Sequence, residues 1–358
     1  MKTAVLCLAL CVAGVGAMQA DDRASNAAAR PAVDRCLQHI RACQLADGAF
    51  AQVSPQGRPD APVWIVPYFS HLAALALLAN VEAGGPADDL ARAGRWLNWC
   101  VAHQNAAGYW NDFEGTLSTY RETDKVDAWD SAAALCLLVA DRFRQAGGTL
   151  TVAHIEVARR AFACVVSVTD PTDGLTWAKP DYRVKYLMDN IEVRAGLLAA
   201  ERLFVASGRA EEARDARERA ERLGRALDSF WLPERRRYSH ALFANESHAK
   251  ASDEHYPEGL AQLYGLAFIE PRIACWETVC RDFTVRTGPR TSFGAEWWLM
   301  AATRMGDEPT RLWRTRVIEA IATFTERTYL QRHAISVLAL LQGASCLAPQ
   351  TSARIDQP

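Results

Sequence analysis

Apolar residues recur every three to four positions through most of the chain, and polar or glycine-rich stretches interrupt this pattern at intervals. A period near 3.6 residues is typical of amphipathic α-helices, and the alternation typical of strands is almost absent. The pattern predicts twelve helices: Pro31–Gln44, Val66–Glu82, Pro86–Asn105, Asp127–Ala146, Val152–Val168, Val184–Ser207, Glu211–Phe230, Pro257–Phe268, Pro271–Phe283, Phe293–Met305, Asp307–Arg327 and Leu330–Cys346. The chain is therefore predicted to be all-α.

The predicted connections alternate in length. Short turns with Gly or Pro follow the even-numbered helices, and long polar or aromatic loops follow the odd-numbered ones. Even-numbered helices are rich in small residues, which suits a crowded inner ring, whereas residues 211–225 have the Arg and Glu content of a solvated helix. We therefore predict six helical hairpins closed into an (α/α)6 toroid. The long loops would share one face, which we call the mouth.

A short repeat of glutamine, glycine and an aromatic residue supports this count of hairpins. Its copies are Gln44-Leu-Ala-Asp-Gly-Ala-Phe50, Gln104-Asn-Ala-Ala-Gly-Tyr-Trp110 and, more loosely, Asp173-Gly-Leu-Thr-Trp177. Glycine can adopt the left-handed conformation that ends a helix, and the following aromatic side chain can pack back against that helix. Intervals of roughly 60 to 67 residues between the aromatic residues leave room for two helices and two loops.

Composition and the first residues set the class of protein. The chain has 358 residues, is 50% hydrophobic and has a formal net charge of -2, so it has no basic surplus for nucleic acid. Lys2, an apolar run from Ala4 to Val15 and small residues to Ala20 have the layout of a secretory signal peptide. We expect a secreted or periplasmic protein without a membrane domain, because no later segment is long and apolar enough to span a bilayer.

The predicted boundaries follow from these features. Residues 1–20 are the signal peptide, 21–30 a linker, 31–348 the toroid and 349–358 a polar C-terminal tail. Of the cysteines after the leader, Cys36 and Cys43 would lie about 10.5 Å apart on one helix, too far for a disulfide. A bond between Cys36 and Cys346 would close the ring, but small buried hydrophobes are the favoured interpretation. None of the spacings fits zinc, so no metal is predicted.

Aromatic and acidic residues collect in the loops predicted to form the mouth. The substrate-binding candidates are Tyr68, Trp110, Asp112, Trp177, Lys179, Asp181, Tyr182, Glu192, His255, Tyr256, Glu258, Glu296 and Trp297. Flat aromatic side chains with carboxylates between them suit the apolar faces and hydroxyl groups of sugars. We therefore predict a carbohydrate substrate, no cofactor, and a protein that acts as a monomer.

The catalytic candidates are carboxyl groups, because glycoside hydrolysis needs one protonated and one ionised carboxyl. Asp127 and Asp130 are three residues apart at the start of an inner helix, where they could instead cap that helix. Asp189 lies among apolar residues inside a predicted helix, a setting that raises a carboxyl pKa. A buried ion pair is the structural alternative for Asp189. The predicted pair is Asp189 with Asp130 or Asp127.

The helix alternation and three segments resemble the six-hairpin glycosidase-like superfamily. The segments are Asp173–Tyr182, Tyr186–Glu192 and Tyr256–Tyr264. The resemblance covers nearly the whole mature chain and implies the toroid fold, with catalytic carboxylates at inner-helix starts that correspond to Asp127, Asp130 and Asp189. Because the superfamily includes endoglucanases and unsaturated glucuronyl hydrolases, the reaction is less specified. The chain also departs from several of its families, since no clear Glu acid stands at the first inner helix.

Three other function classes stay open at this point. The Gln-x-x-x-Gly-x-Trp phrase also resembles the Gln-Trp repeat of terpenoid cyclases and prenyltransferases, although residues 124–130 lack a cyclase's clustered Asp residues. A uronate polysaccharide lyase would use Tyr182 or Tyr256 with His255 and a basic neutralising residue. A non-catalytic glycan-binding toroid is the third alternative.

Overall fold

The computed structural model describes residues 27–245, 247–283 and 294–347. The predicted signal peptide and C-terminal tail lie outside these residues. The α-helices of the described ranges are α1 (27–43), α2 (Pro67–Glu82), α3 (Ala87–His103), α4 (Asp130–Gln145), α5 (Val152–Ser167), α6 (Leu187–Ala206), α7 (Ala210–Ala226), α8 (Leu260–Tyr264), α9 (Ile273–Phe283), α10 (Ala295–Ala302), α11 (Asp307–Ala322) and α12 (Leu330–Leu341). The predicted all-α class is confirmed.

The even-numbered helices form a closed inner ring. Each of α2, α4, α6, α8 and α10 packs on the next even-numbered helix, and α12 returns to pack on α2. Almost every residue of α4 and all of α10 are buried, whereas α7 buries only a stripe of Ala213, Ala216, Ala220 and Leu223. This difference is what inner and outer positions require, so the predicted (α/α)6 toroid is confirmed.

The inner helices approach one another closely where their side chains are small. Gly196 of α6 faces α4, and a Cβ there would lie 2.5 Å from the carbonyl oxygen of Ala134 and 2.7 Å from its Cα. Real side chains do not tolerate such distances, so glycine is required for α4 and α6 to pack at this separation. The richness of the inner helices in small residues is therefore a packing requirement of the ring.

The first two copies of the Gln-Gly-aromatic repeat each join an outer helix to the next one. The side-chain amide of Gln44, after α1, donates to the carbonyl oxygen of Arg92 on α3 at 2.9 Å. Gln104, after α3, repeats the contact with the carbonyl oxygen of Val157 on α5 at 3.1 Å. The repeat therefore marks outer-helix ends, as predicted, and also connects neighbouring hairpins.

The glycine of each copy has the left-handed conformation that the sequence predicted. The φ values are +101° at Gly48, +93° at Gly108 and +89° at Gly174. A Cβ on Gly48 would lie 2.5 Å from the carbonyl oxygen of Arg95 on α3, so the loop rests directly on the neighbouring outer helix. Both the backbone conformation and this close approach favour glycine.

Short strands occur at the mouth, where the sequence predicted almost none. They are β1 (Pro62–Ile65), β2 (Phe113–Thr116), β3 (Arg121–Glu122), β4 (Val184–Tyr186), β5 (Trp231–Leu232), β6 (Arg237–Tyr238) and β7 (Ala241–Phe243). Antiparallel pairing of β1 with β2, and of β4 with β7, ties neighbouring mouth loops together. Strands of two to four residues are too short to show a two-residue alternation.

Several predicted boundaries shift in the structure. The first helix already includes residues 27–30, which the sequence analysis placed in the linker. Helix α4 begins at Asp130 instead of Asp127, so Asp127 belongs to the preceding loop. Helix α6 begins at Leu187 because residues from Val184 form β4, and Asp189 therefore lies in the first turn and not deep inside the helix.

No disulfide links any of the eight cysteines of the described ranges, and all except Cys280 are buried. Cys346 contacts the sulfur of Met300 at 3.9 Å and forms no disulfide with Cys36. The interpretation of these cysteines as small buried hydrophobes is therefore the one that the structure supports. None of the helices in the described ranges combines the length and apolar character that a bilayer crossing requires.

Candidate active site

A cavity of about 450 Å³ opens at the mouth, and we call it the central cavity. Each of the six inner helices contributes to its wall, as do the loops before α4 and α6. The lining residues are Tyr68, Phe69, Leu72, Asp127, Ala128, Ser131, Ala178, Lys179, Tyr182, Tyr186, Met188, Asp189, Tyr256, Leu260, Tyr264, Gly294, Glu296, Trp297, Gln331, Arg332 and Ile335. Aromatic rings, carboxyl groups and two basic side chains thus surround one space.

Many of the residues singled out in the sequence meet in this cavity. Its wall contains the candidates Tyr68, Asp127, Lys179, Tyr182, Asp189, Tyr256, Glu296 and Trp297. The toroid brings them together because inner helices start at the mouth, and the predicted residues lie at or just before those starts. Of the predicted catalytic carboxyls, Asp127 and Asp189 line the cavity, and Asp130 does not.

Asp130 lies behind the wall and is fully hydrogen-bonded. It is buried, and its two carboxyl oxygens accept hydrogen bonds from the Thr176 hydroxyl (2.7 Å) and from the Ser131 backbone N–H (2.8 Å). Burial raises its pKa to about 6, while these two hydrogen bonds act in the opposite direction. Asp130 therefore supports the start of α4 and contributes charge near Asp189 without access to a substrate.

Trp110 and Glu258 are also buried away from the cavity, which corrects their prediction as substrate contacts. Trp110 is 1% exposed, and its indole N–H donates to the carbonyl oxygen of Cys100 at 3.0 Å. Glu258 forms a buried ion pair with Arg237 (3.7 Å) and lies 2.8 Å from His240 Nδ1. Trp110 therefore fills the core beside α3. Glu258 links the residues just before α8 to the preceding loop.

Three further candidates lie near the cavity but do not line it. Asp181 is exposed at the outer side of its loop. Trp177 lines a separate surface cavity, with the Lys185 ammonium 4.2 Å from its ring centroid. His255 packs beside Gly294 of the cavity wall, and burial lowers its pKa, which favours the neutral ring.

Asp112 is a fourth candidate behind the wall. Its carboxyl group is buried, and its Oδ1 has no hydrogen-bond partner among the described residues. Burial raises its pKa to about 7, and the negative charges of Asp127 and Glu114 add to this effect. Asp112 therefore does not line the cavity, which corrects its prediction as a substrate contact.

The two cavity carboxyls differ in electrostatic environment. Asp189 has a pKa well above its ordinary value because it is desolvated and lies near the carboxyl groups of Asp130, Glu192 and Asp127. Asp127 is open to the cavity, yet surrounding protein atoms desolvate it and raise its pKa, while the Lys179 ammonium lowers it. Asp189 is therefore the group that keeps its proton, and Asp127 is the one that more readily ionises.

Glu192 connects three inner helices directly behind the cavity wall. Its Oε1 accepts hydrogen bonds from the hydroxyls of Tyr68 on α2 (2.8 Å) and Tyr264 on α8 (3.0 Å). Its Oε2 is buried without a partner among the described residues. Burial raises the pKa of Glu192 to about 8, so it carries a proton at neutral pH and holds both tyrosines in place. Its predicted role as a substrate contact is replaced by this positioning role.

Glu296 and Trp297 form the opposite side of the wall. Glu296 accepts hydrogen bonds from the Ser336 hydroxyl (3.2 Å) and the Arg332 guanidinium (3.4 Å). Burial raises its pKa, and the Arg332 charge opposes that shift. Trp297 packs against Tyr264 with ring centroids 4.4 Å apart. This side presents a flat aromatic surface next to a neutralised charge pair.

The sequence reasoning missed the apolar part of the wall. Phe69, Leu72, Met188, Leu260 and Ile335 line the cavity, yet each also fits an inner helix that is apolar on every side. Tyr186 and Tyr264 lie in segments that carried the family resemblance, so that signal could have identified them. The Tyr186 hydroxyl lies 3.0 Å from the Tyr182 hydroxyl.

One group of three potential metal ligands lies in the core within the described ranges. Atoms of His71, Cys100 and Cys136 lie within 4.8 Å of one another. The indole N–H of Trp96 donates to His71 Nδ1 at 3.0 Å, which leaves the proton of the neutral ring on Nε2. A protonated Nε2 cannot bind a metal, so this group fits a packed core and not a metal centre.

Solved structures of known proteins share this fold. A glycosidase in complex with glucose is 12% identical, covers 90% of this chain and 98% of its own, and has a TM-score of 0.57. An α-mannanase from Bacteroides thetaiotaomicron is 12% identical, covers 88% of this chain and 95% of its own, and has a TM-score of 0.51. A D-mannose isomerase is 10% identical, covers 87% of this chain and 96% of its own, and has a TM-score of 0.57.

These similarities define the fold and not the reaction. No protein-family model and no curated protein sequence matches the chain. At such identities only the architecture transfers, and it is that of the six-hairpin glycosidase-like proteins, as the sequence resemblance predicted. The structures that share it include glycosidases and an isomerase, so the chemistry has to be argued from the cavity.

Proposed function

We propose that this protein hydrolyses glycosidic bonds in the central cavity, with Asp189 as the general acid and Asp127 as the second carboxyl. The observation that carries the proposal is that these two carboxyls line the same cavity in different electrostatic environments. Burial raises both pKa values, but nearby carboxyls raise that of Asp189 further, whereas Lys179 lowers that of Asp127. Two carboxyls with separated pKa values are the arrangement that this chemistry uses.

Asp189 is suited to give up a proton to a leaving group. It lies in the first turn of α6, where desolvation and three nearby carboxyls favour its protonated form. In the proposed reaction its proton moves to the glycosidic oxygen while the bond from that oxygen to the anomeric carbon breaks. The leaving sugar then departs as a neutral alcohol.

Asp127 is suited to act as a carboxylate. Lys179 stabilises its charge, and the side chain is open to the cavity. Asp127 either takes a proton from the water that bonds to the anomeric carbon, or bonds to that carbon itself before water displaces it. In the first case Asp127 releases its proton to solvent and Asp189 regains one from solvent, whereas in the second case Asp189 takes the proton of the displacing water. One water is consumed in either case.

The rest of the wall supports sugar binding. Trp297, Tyr182 and Tyr256 supply aromatic surface, and Gln331 and Arg332 add polar side chains to the same wall. A cavity that combines such surfaces with a few polar groups is typical of small-molecule and saccharide sites. The fold neighbours that act on sugars are consistent with this substrate class.

The test is incubation with a panel of polysaccharides and oligosaccharides, followed by assays for new reducing ends and for absorbance of unsaturated products. We expect new reducing ends without unsaturation. Asp189→Asn should lower kcat by about 10²- to 10⁴-fold, the usual contribution of a general acid. Asp127→Asn should also inactivate the protein. Asp181→Asn, which removes an exposed carboxyl outside the cavity, is the matched control and should retain activity.

Three results would contradict the proposal. Unsaturated products would establish a lyase, and Tyr182, Tyr256 and Lys179 would then be the residues to test. Conversion between aldoses and ketoses, measured on free hexoses, would establish an isomerase. Binding of a glycan without turnover, unchanged in Asp189→Asn, would establish a binding protein.

A further inference from the structure

The exposed aromatic residues of the described ranges all lie on the mouth loops. They are Trp64, Tyr182, Phe243, Tyr256 and Tyr329, each at least 42% exposed. The other exposed large apolar residues, such as Val205 and Ile273, are aliphatic and lie on outer helices or at the opposite face. Tyr182 and Tyr256 already line the central cavity, which leaves Trp64, Phe243 and Tyr329 without an assigned role. Of these three, Trp64 and Tyr329 contact each other.

We infer that Trp64 and Tyr329 form an outer saccharide-binding subsite, which holds sugar units of a chain that extends from the central cavity. This inference rests on the proposed function and specifies its substrate as a saccharide longer than the cavity. Trp64 is 43% exposed and Tyr329 is 49% exposed, and their ring centroids lie 6.5 Å apart at an interplanar angle of 88°. Together they present two aromatic surfaces at one corner of the rim.

The pair is fixed by backbone hydrogen bonds from one residue. The Gln52 N–H donates to the carbonyl oxygen of Trp64 at 2.8 Å, and the Gln52 carbonyl oxygen accepts from the Leu330 N–H at 2.8 Å. Leu330 directly follows Tyr329, so both aromatic residues are connected to Gln52. Pairing of β1 with β2 holds Trp64 from the other side, opposite Glu114. The two rings are therefore pre-positioned, which reduces the entropy lost when a ligand binds.

The pair is continuous with the central cavity. Tyr329 is the residue before α12, and Gln331 and Arg332 in the first turn of that helix line the cavity. A saccharide that leaves the cavity along α12 would therefore pass the polar side chains of Gln331 and Arg332 first and meet the exposed aromatic pair next. This order of groups favours a sugar chain over an isolated monosaccharide.

The inference is tested by binding of full-length protein carrying Asp189→Asn, which prevents turnover. Affinity electrophoresis would use gels that contain yeast mannan, xylan, glucomannan, hydroxyethylcellulose, alginate or polygalacturonate. We expect retardation in at least one gel, and about tenfold weaker binding after Trp64→Ala or Tyr329→Ala. Trp64→Phe should restore most of the affinity because it retains an aromatic face. Ile273→Ala removes a 68% exposed side chain from the opposite face and should have no effect.

The active protein supplies the second measurement. Trp64→Ala should lower kcat/KM for the retarding polysaccharide about tenfold and leave kcat/KM for the shortest cleaved oligosaccharide within twofold. Equal effects on long and short substrates, unchanged binding in both alanine variants, or no retardation in any gel would overturn the outer subsite. If the protein with Asp189 intact cleaves no substrate of the panel, but its retardation still depends on Trp64, the proposed hydrolysis is overturned and the outer subsite stands.

Discussion

The buried carboxyl of Glu192 gives the most direct test of the electrostatics behind the cavity wall. Glu192 accepts hydrogen bonds from Tyr68 and Tyr264 through Oε1 and has no partner for Oε2 among the described residues. Glu192→Gln keeps an acceptor for both tyrosines and places an N–H donor where the protonated carboxyl has its O–H. The variant is therefore a permanently uncharged copy of the protonated residue.

The expected effect follows from the pKa of Glu192, which burial raises from 4.5 to about 8. Between these values the unfolded chain has lost the proton and the folded chain keeps it, so the free energy of unfolding falls as pH rises. The stabilisation is complete below pH 4.5 and is lost as pH approaches 8. At about 1.4 kcal/mol per pH unit, the titration of Glu192 should lower the free energy of unfolding by roughly 2 kcal/mol between pH 6 and pH 8.

The assay is urea denaturation of the wild type and Glu192→Gln at pH 6 and pH 8. Other carboxyls also titrate in this range. We therefore measure how far the free energy of unfolding falls from pH 6 to pH 8 in each protein, and compare the two falls. We expect the wild type to lose roughly 2 kcal/mol more than the variant. Tyr68→Phe removes a donor that lowers the pKa of Glu192, so it should move the loss to higher pH. Equal losses in the wild type and Glu192→Gln would refute the reasoning.

Three further predictions concern the fold and the cavity. Lys179→Gln removes the charge that lowers the pKa of Asp127, so the acidic limb of the pH–rate profile should move to higher pH; an unmoved limb would contradict the role of Asp127. Trp110→Ala should lower the free energy of unfolding by about 3 to 5 kcal/mol in urea denaturation, because a buried indole is lost, and should leave glycan affinity unchanged. Gly196→Ala should lower the thermal midpoint because its Cβ meets the Ala134 backbone, and an unchanged midpoint would show that α4 and α6 can separate.

The fold could be predicted almost completely from the sequence because one physical pattern specifies it. Helical periodicity defined the elements, and the alternation of short turns with long loops defined their pairing. The boundaries that differ are those where a few residues predicted as helix form a strand or loop. Val184–Tyr186, for example, pair with β7 instead of starting α6. Such pairing depends on a distant segment and leaves no periodic signal of its own.

The candidate site could be predicted less completely, because a sequence shows which residues lie near a helix start but not which way each side chain points. Asp127, Asp130 and Asp189 were all predicted as catalytic carboxyls, yet only Asp127 and Asp189 line the cavity. Glu258 was predicted to be a substrate contact, but the structure pairs its carboxyl with Arg237 and His240. Each distinction depends on partners that are distant in the chain.

The third copy of the Gln-Gly-aromatic repeat explains part of this difference. In the first two copies the residue two positions after glycine is a buried aromatic, Phe50 or Trp110. In the third copy that position is Thr176, which pairs with Thr169 as Phe50 pairs with Gln44. Trp177 is moved out to a surface cavity. The departure from the repeat therefore replaces a core-filling ring with a small hydroxyl.

The Thr176 hydroxyl lies behind the cavity wall, beside the buried carboxyl of Asp130. The Thr176 hydroxyl donates to Asp130 at 2.7 Å, and its backbone N–H donates at 2.7 Å to Asn190, the neighbour of Asp189. An aromatic side chain at this position would leave Asp130 without this hydroxyl donor and would place its buried carboxyl against an apolar surface, whereas the backbone N–H would still donate to Asn190. The hairpin that breaks the repeat is thus the hairpin that positions Asp189. Local departures from a structural rule concentrate at functional sites, and this one lies directly behind the proposed acid.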